Sequence, residues 1–175
     1  MDEVPQWTNA QASRKPAWGA VVSMALGVFG LVTAEFLPAS LLTPMALDLG
    51  VSEGMAGQAV TATAVVGLLT SLLVSAATRS IDRRYVLLGF TLLLIGSNLM
   101  VAFAPNIAVL LTGRVLLGIG LGGFWTMSTA VAMRLVPDAL VPRALSMIVS
   151  GVAAATIVAA PVGSYVGDMF GWRSV

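Results

Sequence analysis

The sequence predicts an all-α integral membrane protein, a bundle of five transmembrane helices. Composition is the first reason: 58% of the 175 residues are hydrophobic and 10% charged, at a mean hydropathy of +0.95. Soluble domains carry about 25% charged residues. The second reason is that the apolar residues gather into five runs, each near or above the roughly 20 residues that cross about 30 Å of hydrocarbon. The third is that the basic residues cluster in alternate connections. Spans of this length, with every backbone group satisfied internally, are helices; a transmembrane strand would be shorter and would alternate.

Residues 1–17 are polar, acidic at the start and basic at the end, and read as a disordered cytoplasmic tail. The apolar run behind them is too long for a secretory signal. The first span is expected over 19–46, the second over 55–78, the third over 85–103, the fourth over 107–133 and the fifth over 143–168. The second carries Gln58, Thr61, Thr63, Thr70 and Ser71, enough polarity for a face toward a cavity or a neighbouring helix. The third is the most apolar and is the candidate for a lipid-facing helix. Trp18, Tyr85 and Trp172 fall near span ends, where aromatic residues anchor helices at the interface.

The connections give orientation. Arg14 and Lys15 precede the first span, Arg79, Arg83 and Arg84 separate the second from the third, and Arg134 and Arg143 flank the connection between the fourth and fifth. All fall on one side, against Arg173 alone on the other, which places the N-terminus in the cytoplasm. With five spans the chain ends on the opposite side at GWRSV, and it is expected to be a fragment cut before a sixth span. There is no cysteine and no histidine, so disulfides, zinc sites of the usual type and Cys-His or Ser-His catalysis are excluded. No metal and no cofactor is called for, no nucleophile–base set is present, and a net charge of +1 exerts no bulk pull on nucleic acid.

Two charges lie inside the apolar runs. Glu35 is the only charged residue between Lys15 and Asp48, and Arg114 the only one between Arg84 and Arg134. An ionisable group in mid-membrane is unfavourable by about 2.5–3.5 kcal/mol on insertion scales and marks function by default. Counting at 1.5 Å per residue from the ends of their spans, Arg114 lies about 10 Å deep and Glu35 about 13 Å deep from the same side. The two charges are expected to approach each other, directly or through water, in at least one conformation. Arg114 has a second option, since its five donors also suit tying helix carbonyls together.

Small residues mark helix packing. Gly118 and Gly122 stand one turn apart in the fourth span, and Gly163 and Gly167 do the same in the fifth beside Pro161; such rows let helices approach closely. Pro38, Pro44 and Pro161 remove backbone donors inside spans, which membrane helices tolerate. Phe124 and Trp125 suit core packing or stacking on a planar substrate.

The stretch Thr33-Ala34-Glu35-Phe36-Leu37-Pro38, followed by LLTPMALDLGVSEG, resembles the first helix of bacterial drug/proton antiporters of the major facilitator superfamily. Arg114-x-x-x-Gly118-x-Gly120-x-Gly122 resembles that family's fourth-helix motif, and the Gly-Trp-Arg after the fifth span also matches. Within the family the likeness is greatest to purine-nucleoside exporters, through EFLPASLLTPMALDLGVSEGMAGQ, DRRYV at 82–86, GGFWTMS at 122–128 and AMRLVPDALVPRALS at 132–146. In the connection at 75–85, Arg83 and Arg84 match the family's basic positions, while Arg79 stands where an acid is usual and Asp82 where a glycine is. In the fifth span Pro161 matches, but Ala160 and Ser164 replace glycines.

The resemblance implies a major facilitator-type bundle in a bacterial inner membrane, with five helices of an N-terminal six-helix half present. The sixth helix and a C-terminal half would then be partners of this segment. It implies alternating access around a midplane site and proton-coupled efflux of a purine ribonucleoside (inosine, guanosine), with a multidrug or sugar exporter as the alternative. Protons, a small-molecule substrate and membrane lipid are the expected partners. In that frame Glu35 and Arg114 would couple protons, and Gln58, Thr61 and Trp125 are the substrate-binding candidates. Asp82, Arg83 and Arg84 would form a conformational loop.

Overall fold

The computed structural model describes residues 16–79 and 81–175. Most of the tail expected at 1–17, with Arg14 and Lys15, lies outside the described residues. The last residue before the first helix is held: the Ala17 N–H donates to the Leu135 carbonyl at 2.9 Å.

The chain is all-α, with six helices among the described residues: α1 (Trp18–Ser40), α2 (Leu42–Leu49), α3 (Glu53–Ala77), α4 (Arg83–Ala102), α5 (Ile107–Leu135) and α6 (Val141–Phe170). Short 3-10 turns cover Asp138–Leu140 and Trp172–Ser174. Five of the helices, all but α2, are long and apolar enough to cross a membrane. Side-chain caps start three of them: Ser52, Asp82 and Asn106 accept the N–H groups of Met55, Arg84 and Val109 at 3.2, 2.9 and 3.0 Å. Each satisfies one of the orphan donors of a first turn.

The first span is not the single helix expected over 19–46. It breaks at Leu41, where φ is −118° and ψ 13°, and restarts as α2. Pro44 is the physical reason. It has no N–H for the Ser40 carbonyl, and its ring crowds that carbonyl. The Leu41 N–H turns back to Pro38 O at 3.1 Å. Gly50, at φ +65°, then ends α2 in the left-handed region that suits glycine.

Helix α5 is the most buried of the five long helices and organises the packing. It lies against α3 on one side and α4 on another, while α6 pairs with α1. The α3–α5 contact is close because both sides are small. A Cβ on Gly118 would come within 2.7 Å of the Thr63 carbonyl oxygen, and one on Gly122 would meet the Gly67 carbonyl. Gly163 accommodates Leu37 of α1, and Gly167 accommodates Leu41 at the break that follows it. Pro161 is exposed inside α6. A close approach that sequence reasoning missed is Gly151 of α6, where a Cβ would stand 2.5 Å from the Ala25 carbonyl oxygen. A Gly122→Val protein is therefore expected to lose about 1–3 kcal/mol of stability through overpacking, read as a lower thermal midpoint in detergent. A Gly89→Val protein, at a glycine with open space around it, serves as the reference and keeps its midpoint.

At the end of the bundle that holds α2, Trp172 is no interfacial anchor. It is buried, and its indole N–H donates to Asp48 Oδ2 at 3.1 Å. Arg173 pairs with the same carboxylate, lies over the Trp172 ring at 4.4 Å, and donates to the Ala104 carbonyl at 3.1 Å. The Gly-Trp-Arg turn thus ties α2, the α4–α5 connection and the end of α6. Replacing Trp172 by alanine is expected to cost about 3–5 kcal/mol. Asp48→Asn leaves the packing intact and removes an exposed ion pair, for about 1 kcal/mol or less. Chemical unfolding of the two variants checks the order.

Candidate functional site

Arg114 is 1% exposed and is the largest fully buried side chain in the described structure. Its Nη1 donates to the Ala34 carbonyl at 2.9 Å, its Nη2 to the Glu35 carbonyl at 3.1 Å and its Nε to the Ala59 carbonyl at 3.4 Å. One guanidinium on α5 therefore holds backbone of both α1 and α3. The Ala34 carbonyl is available for a local reason. Pro38 stands four residues on, in the helix interior, and lacks the N–H that would otherwise bond it. In hydrocarbon such a carbonyl would be costly unpaired, and Arg114 supplies the missing donor.

Arg114 and Glu35 come close to each other, but no direct ion pair is recorded between their side chains in this conformation. Among the described residues the only carboxylate within salt-bridge distance of an arginine is Asp48. Arg114 meets Glu35 through the main chain, and among the described residues nothing donates a hydrogen bond to the half-buried Glu35 carboxyl. The sequence estimate of equal depth was sound, because it fixes height along the helices. It does not say which atoms meet, and the Arg114 hydrogen bonds on α1 go to main-chain carbonyls. Arg114 also borders a cavity of about 510 Å³ between α1 and α4, with Thr33 and Asn98 in its walls; Glu35 is not part of that lining.

Two hydroxyls fix this stretch of α5. Thr63 Oγ1 donates within reach of both the Arg114 carbonyl, 3.1 Å, and the Ala59 carbonyl, 3.0 Å. Ser97 Oγ donates to the Gly113 carbonyl at 2.8 Å. Both are fully buried. Sequence reasoning did not single out Ser97, which shares α4 with another hydroxyl residue, Thr91. A Cβ on Gly113 would stand 3.2 Å from the Ser97 carbonyl oxygen, so glycine admits that contact.

The substrate candidates separate. Gln58 adjoins Ala59, whose carbonyl receives Arg114, and Thr61 lies three residues on; both are exposed. They stand at the level of Glu35. Trp125 does not: it is 11 residues from Arg114, about 16 Å along α5. Its neighbour Phe124 packs beside Gly27 of α1, eight residues from Glu35. Trp125 is 42% exposed while Phe124 is buried in the core. Asp82 is engaged as the N-cap of α4, with Arg83 and Arg84 in the first turn.

The Major Facilitator Superfamily description matches residues 24–175. The chain is 52% identical over 167 residues, 95% of its length, to purine ribonucleoside efflux pump NepI of Escherichia coli (strain K12). Proteins of the same name from Shigella flexneri and Shigella dysenteriae serotype 1 (strain Sd197) match to the same extent. The chain spans 42% of the length of these relatives. An all-α architecture of membrane-length helices and a match over nearly the whole chain agree, and the chain belongs to the Major Facilitator Superfamily.

Proposed function

We propose that this chain is the N-terminal part of a proton-coupled exporter of purine ribonucleosides, working by alternating access across a bacterial inner membrane with its N-terminus in the cytoplasm. The observation that carries the substrate class is the 52% identity to relatives named as purine ribonucleoside efflux pumps. The bias of Arg79, Arg83, Arg84, Arg134 and Arg143 to one side of the helices supports the orientation.

The geometry around Arg114 supports the coupling role. A buried cation bridges α1 and α3 through carbonyls, and the Glu35 carboxyl beside it is free to exchange a proton. A rearrangement that wets or dries that carboxyl changes whether it holds the proton. Proton entry down the membrane potential supplies about 2.3 kcal/mol per charge per 100 mV. Gln58 and Thr61, at the same level, are the hydrogen-bonding groups offered to a base or ribose. Trp125 would meet substrate only at a different depth.

The test is uptake of labelled inosine into inverted vesicles carrying a full-length transporter with this sequence. Uptake that follows an imposed proton gradient, and that guanosine competes away, is the expected result. Competition by sugars or unrelated drugs instead would replace the nucleoside with another substrate of the same transport class.

A further inference from the structure

Four arginines border one open cavity of about 1000 Å³ at the end of the bundle opposite Arg173. They come from separate places: Arg79 follows α3, Arg83 and Arg84 lie in the first turn of α4, and Arg134 in the last turn of α5. The one carboxylate in the lining is Asp82, already engaged by the Arg84 N–H. Among the described residues none of the four arginines forms an ion pair. Below this basic rim the walls turn apolar, at Leu87 and Leu88.

The apolar wall continues along α4. Leu88, Leu92, Ile95 and Leu99 repeat at helical spacing and are each 51–68% exposed. They form a stripe about 16 Å long running into the hydrocarbon from the arginines. A soluble anion would use the rim and leave the stripe idle. A molecule with a phosphate head and an acyl tail uses both. Guanidinium groups also match phosphate oxygens bidentately, and basic pockets between helices at the cytoplasmic side suit lipid head groups.

We propose that this cavity is a binding site for an anionic phospholipid. Its phosphate sits among Arg79, Arg83, Arg84 and Arg134, and an acyl chain lies along the Leu88–Leu99 stripe of α4. The bound lipid would neutralise the rim that the described carboxylates leave unpaired, and so fix the α3–α4 connection against the end of α5.

The experiment is native mass spectrometry of a purified full-length transporter carrying this sequence, titrated with phosphatidylglycerol or phosphatidylcholine of matched chains. Preferential retention of phosphatidylglycerol is expected. Arg83→Gln and Arg134→Gln should each weaken it about fivefold, the contribution of one basic residue near an anionic surface, without changing phosphatidylcholine. Arg83→Lys should fall between, since it keeps charge and loses the fork, and it remains informative if a glutamine variant fails to fold. Arg143→Gln removes a charge from the same end but outside the cavity lining and should leave retention unchanged. Equal retention of the two lipids, or an equal loss in Arg143→Gln, overturns the site. Displacement of phosphatidylglycerol by inorganic phosphate overturns the lipid as its occupant in favour of a soluble anion.

Discussion

Arg114→Ala is expected to destabilise the protein by about 3 kcal/mol or more. The guanidinium's carbonyl partners on α1 and α3 would lose a buried donor, at roughly 1–3 kcal/mol for each group left unpaired. Arg114→Lys should recover only part of the loss, because a compact ammonium cannot span the Ala34, Glu35 and Ala59 carbonyls as a planar fork does. The sharper check lies in Pro38. Pro38→Ala restores an N–H four residues after Ala34, so the helix can satisfy that carbonyl itself. In that background Arg114→Ala should cost less, with an interaction of about 1 kcal/mol between the two positions. Denaturant unfolding of the four proteins measures it, and strictly additive costs would show that Pro38 does not create the arginine's binding site.

That reasoning also shows what was legible in the sequence. The helices were readable because hydrocarbon admits little else, and the level of Arg114 against Glu35 followed from counting residues. The identity of the contacting atoms did not. Depth is one coordinate, and it does not choose between a carboxylate and a carbonyl. Yet the signal for the carbonyl was present: Pro38 stands four residues after Ala34, which marks a freed acceptor in mid-membrane. The break at Leu41 was similarly encoded in Pro44, but apolar residues continue on both sides and hydropathy alone runs the helix through. Trp125 is the opposite case among the substrate candidates. Its aromatic character suggested a role, while its 11-residue separation from Arg114 already put it at another level. Ser97 and Gly151 carry no sequence pattern of their own; their importance appears only with the partner backbone at Gly113 and Ala25.

Glu35→Gln, in a full-length transporter of this sequence, is expected to lose proton-driven accumulation of nucleoside entirely while keeping exchange of labelled for unlabelled nucleoside at zero gradient. Glutamine matches glutamate in shape and removes the titratable proton. The contact that Arg114 makes at this position is to the Glu35 main-chain carbonyl, which the substitution leaves in place. Stability should therefore change little, in contrast to Arg114→Ala, and equal folding of the two proteins makes the transport comparison fair. Among the described residues the carboxyl accepts no protein hydrogen bond, so its removal orphans no described partner; on the proposed mechanism, what disappears is the proton it carries between the two sides. Accumulation that persists in Glu35→Gln would remove Glu35 from the coupling step. Loss of exchange as well as accumulation would make it a substrate contact, beside Gln58 and Thr61 at the same level. Charge reversal at both Glu35 and Arg114, if it restores flux that either single reversal abolishes, would add that the two side chains pair directly in another conformation of the proposed cycle.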